Sequence, residues 1–160
     1  MKSTEHPLIQ EIIDAFKDVH LEDGISLNMT EYHDSGGCMP EFKKKAKTDE
    51  RKHWYKIDDD TLESFTVTFS FTDLKGFRFY LPAYMIYTIR NHEISDSIIT
   101  DFTIYALDPN HYIFDETTMK DFFTEKQFNC IISFLEFCAK QEDTLDATVA
   151  KRRLKRFKKA

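Results

Sequence analysis

The sequence predicts an α+β fold, in which four or five helices pack around one antiparallel β-hairpin at about residues 66–81. Apolar residues recur three and four positions apart in several segments, which is typical of helices with one buried face. Residues 65–71 and 77–81 alternate instead between large apolar side chains and other side chains, and a period of two is typical of half-buried strands. The apolar positions of the two predicted strands are Phe65, Val67, Phe69, Phe71, Phe77, Phe79 and Leu81.

The predicted hairpin turns between Thr72 and Gly76, and its phenylalanine face points into the core. Gly76 suits the tight turn because it tolerates backbone angles that other residues avoid. Pro82 follows the second strand, and proline favours the first turn of a helix. We therefore expect a new helix to begin at Pro82.

Three other helices have clear signals. The first has an apolar stripe that begins at Leu8. Another begins with a capping box formed by Thr124 and Gln127, in which each side chain bonds to the backbone of the other residue. A third runs from near Ser95 to just before Pro109, and we expect its inward side chains to be Ile98, Ile99, Phe102 and either Tyr105 or Ala106.

The length and composition indicate one domain spanning residues 1–160. A chain of 160 residues with 41% hydrophobic residues is large enough for one core. The N-terminus lacks an apolar block typical of a secretion signal. The longest mostly apolar run, residues 80–89, is too short to cross a bilayer about 30 Å thick. We expect a cytoplasmic protein that does not enter membranes.

The charge is distributed unevenly. The net charge is -6, but residues 151–160 contain seven Lys or Arg and no acid, which leaves -13 on residues 1–150. An acidic body favours a basic protein partner and makes nucleic acid an unlikely ligand. The basic C-terminal helix, expected at about residues 145–159, carries Leu154 and Phe157, which favour docking on the body over binding of an anion.

No cofactor or metal is expected. The cysteines Cys38, Cys130 and Cys138 are odd in number and form no CxxC pair, so they indicate neither a disulfide framework nor a zinc ribbon. The cluster that most resembles a metal site matches no standard ligand spacing. It consists of Glu31, His33, Asp34 and Cys38. The acidic residues 58–60 are better explained as a helix start.

Several segments together resemble an uncharacterised bacterial family known only as a domain of unknown function. They are residues 23–27 (DGISL), Trp54, Asp73 and residues 76–85 (GFRFYLPAYM). The similarity continues through the helix at residues 123–137 to Phe157, and so covers nearly the whole chain. The resemblance implies a bacterial cytoplasmic protein, and it implies no activity and no catalytic residues.

The predicted function is binding or interaction without catalysis, as an adaptor or as an immunity-like inhibitor of a basic partner. No nucleophile motif, Walker loop or GxGxxG is present, which favours a protein that is not an enzyme. One alternative is a small enzyme or small-molecule-binding domain with a site beside the hairpin. Another is binding of anions or nucleic acid by the basic helix. The candidate binding residues are Asp73, Arg78, Tyr80 and Tyr84.

Overall fold

The computed structural model describes residues 5–159, and these residues are helical with no strand. The α+β prediction is therefore wrong. The α-helices are α1 (Pro7–Phe16), α2 (Leu27–Ser35), α3 (Met39–Ala46), α4 (Asp59–Ser64), α5 (Thr68–Phe71), α6 (Leu74–Asn91), α7 (Ile99–Ala106), α8 (Met119–Phe122), α9 (Glu125–Ala139) and α10 (Ala147–Lys159). Short 3-10 helices lie at Trp54–Lys56 and Tyr112–Phe114.

The predicted hairpin at about residues 66–81 is replaced by α5 and the first half of α6. Asp73 accepts a hydrogen bond from the Gly76 amide at 2.9 Å, which caps the start of α6 where the hairpin turn was expected. Tyr80, expected on the outer face of a strand, is fully buried. Nearly every residue of α6 after Lys75 is buried, so apolar side chains occupy almost every face of this helix. The alternation of apolar residues at positions 77–81 therefore did not indicate a strand.

Pro82 lies inside α6 and does not begin a helix as predicted. Proline lacks an amide hydrogen and therefore cannot donate the bond that would reach the carbonyl of Arg78. Leu81, Pro82 and Ala83 are all buried, and the apolar surface that they remove from water offsets the cost of the missing hydrogen bond.

Two compact units divide the chain. The middle unit contains residues 17–83, and its helix α2 packs against α3 and α5. The largest fully buried residues of this unit are Leu21, Trp54, Leu62, Phe77, Phe79, Tyr80 and Leu81. That the chain folds as a single domain stays a prediction.

The terminal unit contains residues 1–16 and 84–160. Helix α9 lies at its centre, packed against α1, α8 and α10, and α10 also packs against α7. The capping box predicted from Thr124 and Gln127 is present at the start of α9 and is confirmed. The apolar stripes predicted for α1 and α9 supply buried residues, among them Ile12, Phe16, Ile131 and Leu135. Within residues 5–159, no helix has both the length and the apolar character needed to span a membrane.

Candidate functional site

Helix α7 exposes large apolar side chains along one face. Ile98, Phe102 and Tyr105 follow one another at spacings of four and three residues and are 52%, 38% and 38% exposed. Ile94, in the turn before the helix, is 81% exposed. We call these four residues the α7 row. Ile98 and Phe102 were predicted to face inward, and this prediction is wrong.

The opposite face of α7 holds the helix to the core. Its buried residues are Ile99, Thr100, Thr103, Ile104 and Ala106. Two of them are polar, but the Thr103 hydroxyl donates to the Ile99 carbonyl at 2.7 Å and the Thr100 hydroxyl donates to the Ser97 carbonyl at 3.2 Å. Threonine can therefore be buried here at little cost, because its polar group is satisfied within its own segment.

The Tyr105 ring is fixed by the start of α10. Its hydroxyl donates to Oδ2 of Asp146 at 2.7 Å, and Oδ1 of Asp146 accepts the Val149 amide as a cap of α10. The Asp146 amide in turn donates to the Asp101 carboxylate at 2.9 Å. The hydrogen bond to Asp146 raises the pKa of Tyr105 to about 12, so the hydroxyl stays protonated at neutral pH. The α7 row is thus held in one arrangement at its C-terminal end.

Arginines of α10 lie beside the same end of α7. Arg153 and Arg156 both pair with Asp108, at 3.1 and 2.8 Å, and Arg153 also donates to the Tyr105 carbonyl at 3.3 Å. Burial acts to raise the pKa of Asp108, but the Asn110 amide and the two arginines outweigh it and hold the pKa below its usual range. Two cations share the one carboxylate of Asp108, so this ion-pair cluster carries a net positive charge beside α7.

The outer face of α10 carries further cations. Its inner face includes the buried Ala147 and Ala150, and Phe157 contacts the Phe128 ring at 5.7 Å between centroids. Lys151 pairs with Glu142 at 2.8 Å. The remaining cations are exposed and have no carboxylate within ion-pair distance among the described residues; they are Arg152, Lys155, Lys158 and Lys159. The helix docks on its own unit and keeps a basic outer face.

Asp73 and Tyr80, two of the predicted binding residues, meet on the segment at residues 25–27. Asp73 accepts the Ile25 amide at 3.1 Å, and the buried Tyr80 hydroxyl accepts the Leu27 amide at 3.1 Å. The Thr72 hydroxyl donates to the Ile25 carbonyl at 2.9 Å. Tyr80 of the GFRFYLPAYM segment therefore contacts the DGISL segment, and Thr72 and Asp73, which precede GFRFYLPAYM, bond to the same DGISL segment.

The other two predicted binding residues, Arg78 and Tyr84, lie further along α6. Arg78 is partly exposed, and burial lowers the pKa of its guanidinium while the charge of Glu22 opposes that effect. Tyr84 belongs to the terminal unit and is 2% exposed. Its carbonyl accepts the Thr88 hydroxyl at 2.9 Å. A binding role for the four residues stays a prediction.

The buried thiols are unreactive, and the described residues do not assemble the cluster that most resembles a metal site in the sequence. Burial raises the pKa of Cys130 to about 11 and that of Cys138 still further, so neither is a thiolate at neutral pH. The described part of the chain brings no three His, Cys, Asp or Glu residues together as metal ligands. Cys38 is exposed and begins α3.

An open groove of about 290 Å³ runs between α1 and α9. Its charged and polar lining includes Glu11, Asp14, Lys126 and Asn129. At its side the Cys130 thiol donates to the Glu11 carbonyl at 3.5 Å. Among the described contacts, no hydrogen bond joins two of these four lining side chains. The groove therefore gives no support to a catalytic role.

The spacing that exposes the α7 row was visible in the sequence. Ile98, Phe102 and Tyr105 form one helical row, while Ile99, Thr103 and Ala106 form another. The prediction took inward residues from both rows, Ile98 and Phe102 from the first and Ile99 from the second, and left Tyr105 and Ala106 as alternatives. The two rows differ in one readable signal: threonine hydroxyls can bond back to the preceding turn.

Comparisons with known proteins identify the family but no function. Neither a curated protein nor a solved structure shows significant similarity to the chain. A family model described as "Family of unknown function (DUF6714)" matches residues 4–159, nearly the whole chain and all the segments of the resemblance noted above. The chain therefore belongs to this family of unknown function.

Proposed function

We propose that the protein is a binding protein without catalysis that recognises another protein through the α7 row. The observation that carries this proposal is the exposure of three large side chains, Ile98, Phe102 and Tyr105, on one helical face. Single exposed apolar residues are common, but a contiguous apolar patch is typical of an interaction site. Burying such a side chain from full exposure contributes about 1.5–3 kcal/mol, and a partner that covers these half-exposed side chains gains roughly a third to a half of that for each.

The row is also ordered before binding. The hydrogen bond from Tyr105 to Asp146 fixes the ring, and the Phe102 ring lies 6.1 Å from it between centroids. A fixed aromatic side chain loses less conformational entropy when a partner covers it. Aromatic residues are enriched among the residues that dominate binding energy at interfaces. These features support a recognition role for the α7 row.

The adaptor or inhibitor role toward a basic partner stays a proposal with weaker support. The terminal unit contains 15 acidic residues and only 5 basic residues outside α10, a charge of -10. Helix α10 adds seven cations to the same unit and pairs three of them with its acids. The acids of the terminal unit are therefore partly neutralised by α10, which weakens their attraction for a basic partner.

A second candidate function is anion binding by the outer face of α10. The supporting observation is the set of exposed cations without an acidic partner, which includes Arg152 and Lys155. Binding of nucleic acid would then weaken steeply with salt and would be lost when residues 151–160 are deleted. The enzyme alternative was placed beside a hairpin, and the described residues contain no hairpin to place it against.

Photo-crosslinking in the cells that produce the protein tests the proposed function. A benzophenone amino acid replaces Phe102 in one variant and Tyr55 in the control, since Tyr55 is an exposed aromatic residue of the middle unit. We expect a discrete protein adduct from position 102 and not from position 55. The absence of an adduct at 102, or the same adduct from both positions, would contradict the proposal.

A further inference from the structure

We infer that the partner of the α7 row is an acidic amphipathic helix, whose apolar face covers Ile98, Phe102 and Tyr105 and whose carboxylates face Arg152, Arg156 and Lys159 of α10. This inference rests on the proposed function and adds the chemistry of the partner. Three features of the α7 row support this inference: the cations beside its Tyr105 end, the acids beside its Ile94 end, and the helical spacing of its side chains.

Beside the Tyr105 end of the row, the four cations Arg152, Arg153, Arg156 and Lys159 of α10 outnumber the three carboxylates of Asp101, Asp108 and Asp146. Arg153 and Arg156 share the single carboxylate of Asp108, with side-chain exposures of 15% and 43%. Arg152 and Lys159 lie four residues before and three residues after Arg156, so the three share one face of α10. Both are exposed and have no acid within ion-pair distance among the described residues. A partner gains charge complementarity here if it presents anionic groups, which in a peptide are carboxylates.

The end of the row at Ile94 is acidic. Glu93 and Asp96 flank Ile94 and are exposed. A flat anionic membrane would have to approach both ends of the row at once. It would be attracted to the α10 end but repelled by the carboxylates of Glu93 and Asp96 at the other end. A peptide, in contrast, can carry acidic residues at its α10 end and none at its other end. The distribution of charge therefore favours a peptide over a lipid surface and sets its direction along the row.

The shape of the row favours a helix as the bound element. Ile98, Phe102 and Tyr105 repeat at helical spacing over a length of about 10 Å, taking 1.5 Å per residue. Apolar residues of a second helix at the same spacing can pack between them. Binding of an extended peptide by strand addition needs an open sheet edge, and residues 5–159 provide none.

Peptide selection on the purified full-length protein tests the inference. The probe is a display library of helical peptides with leucines fixed at helical spacing and random residues at the flanking positions. We expect the peptides recovered on the wild type to be enriched in Asp and Glu at the flank that meets α10. We also expect Arg152→Glu combined with Lys159→Glu to weaken a recovered peptide about tenfold, as loss of two charge pairs and new repulsion require.

A matched charge change controls for net charge. Lys43→Glu with Lys44→Glu alters the same number of charges on the exposed face of α3 in the middle unit, and we expect it to leave peptide affinity within about twofold. Phe102→Ser and, separately, Ile98→Ser should abolish recovery. These positions are exposed, so circular dichroism should show unchanged helix content for both variants.

The outcomes separate the inference from the proposed function. Peptides that bind regardless of Phe102→Ser and Ile98→Ser, or a selection that recovers none, would contradict the proposed function itself. Peptides that require the α7 row but carry neutral or basic flanks, or that ignore the α10 double variant, would overturn only the inference. Binding of the wild type to phosphatidylcholine–phosphatidylglycerol vesicles that is lost with the same α7 and α10 variants would overturn it too.

Discussion

Helices α6 and α7 both carry several aromatic side chains, but they place them in opposite environments. Phe77, Phe79 and Tyr80 of α6 are fully buried, whereas Phe102 and Tyr105 of α7 are exposed. The α6 aromatics lie in the segment that carries the family resemblance, and one of them, Tyr80, accepts the Leu27 amide. The contrast teaches that the most recognisable part of this sequence is buried in the fold, while the surface that we propose for recognition lies in a less distinctive helix.

The largest expected difference between the two helices is in stability. Phe79→Ala leaves a cavity in the core and should lower the free energy of unfolding by about 3–5 kcal/mol. Phe102→Ala removes a side chain that is already exposed to water and should lower it by about 1 kcal/mol or less. Urea denaturation followed by circular dichroism measures both values. Equal losses for the two variants would contradict the assigned environments.

A second, smaller difference concerns tyrosine hydroxyls. Tyr80→Phe leaves the buried Leu27 amide without its acceptor and should cost about 1–3 kcal/mol. Tyr105→Phe breaks an exposed bond to Asp146, which water can replace, and should cost about 1 kcal/mol or less. The comparison is measured by the same urea denaturation. A larger loss for Tyr105→Phe than for Tyr80→Phe would show that the two hydrogen bonds have been ranked wrongly.

Gly76 offers a test of the contact between α6 and the segment at residues 25–27. A Cβ at this position would lie 1.7 Å from the Thr72 hydroxyl oxygen and 2.9 Å from the Ile25 carbonyl oxygen. Gly76→Ala should therefore destabilise the protein by about 1–3 kcal/mol despite its better helix propensity. In a Thr72→Ala background, where the nearer clash is absent, the same substitution should cost less. An equal cost in both backgrounds would argue against the clash.

The smallest expected effect is a pH dependence confined to α7. The pKa of Tyr105 is raised to about 12 in the folded protein, above the ordinary value of 10.0. The protonated Tyr105 hydroxyl therefore stabilises the folded protein fully below pH 10, and this contribution is lost as the pH rises through about 12. Tyr105→Phe should remove this part of the pH dependence. Carbon NMR of labelled tyrosine reports the ionisation, and a Tyr105 that titrates at its ordinary pKa would contradict the bond to Asp146.

The sequence predicted those helices that have one buried face and one exposed face. For α1 and α9 the 3.6-residue period separates the core from the solvent, and the capping box marks where α9 begins. The 3.6-residue period did not predict helix α6, because this helix is buried on nearly every side. Without a polar face there is no helical period, and the chance alternation at residues 77–81 resembled a strand.

The candidate site could not be predicted for a different reason. The period of α7 was recognised correctly, but two rows of side chains compete for the core. Burying Thr103 costs little because its hydroxyl bonds to the Ile99 carbonyl, and so the row with Phe102 is left outside. Which row faces inward depends on the shape of the surrounding helices, and that shape is a tertiary property that local pattern does not contain.

Hydroxyl-radical footprinting of the wild-type protein, free and in complex with a peptide selected for binding to the α7 row, tests the central claim most directly. We expect Phe102 and Tyr105 to be oxidised rapidly in the free protein and protected in the complex, while Tyr80 and Tyr84 are protected in both. Protection of Phe102 and Tyr105 in the free protein, or equal oxidation of these two residues in both states, would contradict the claim that this face of α7 is open for a partner.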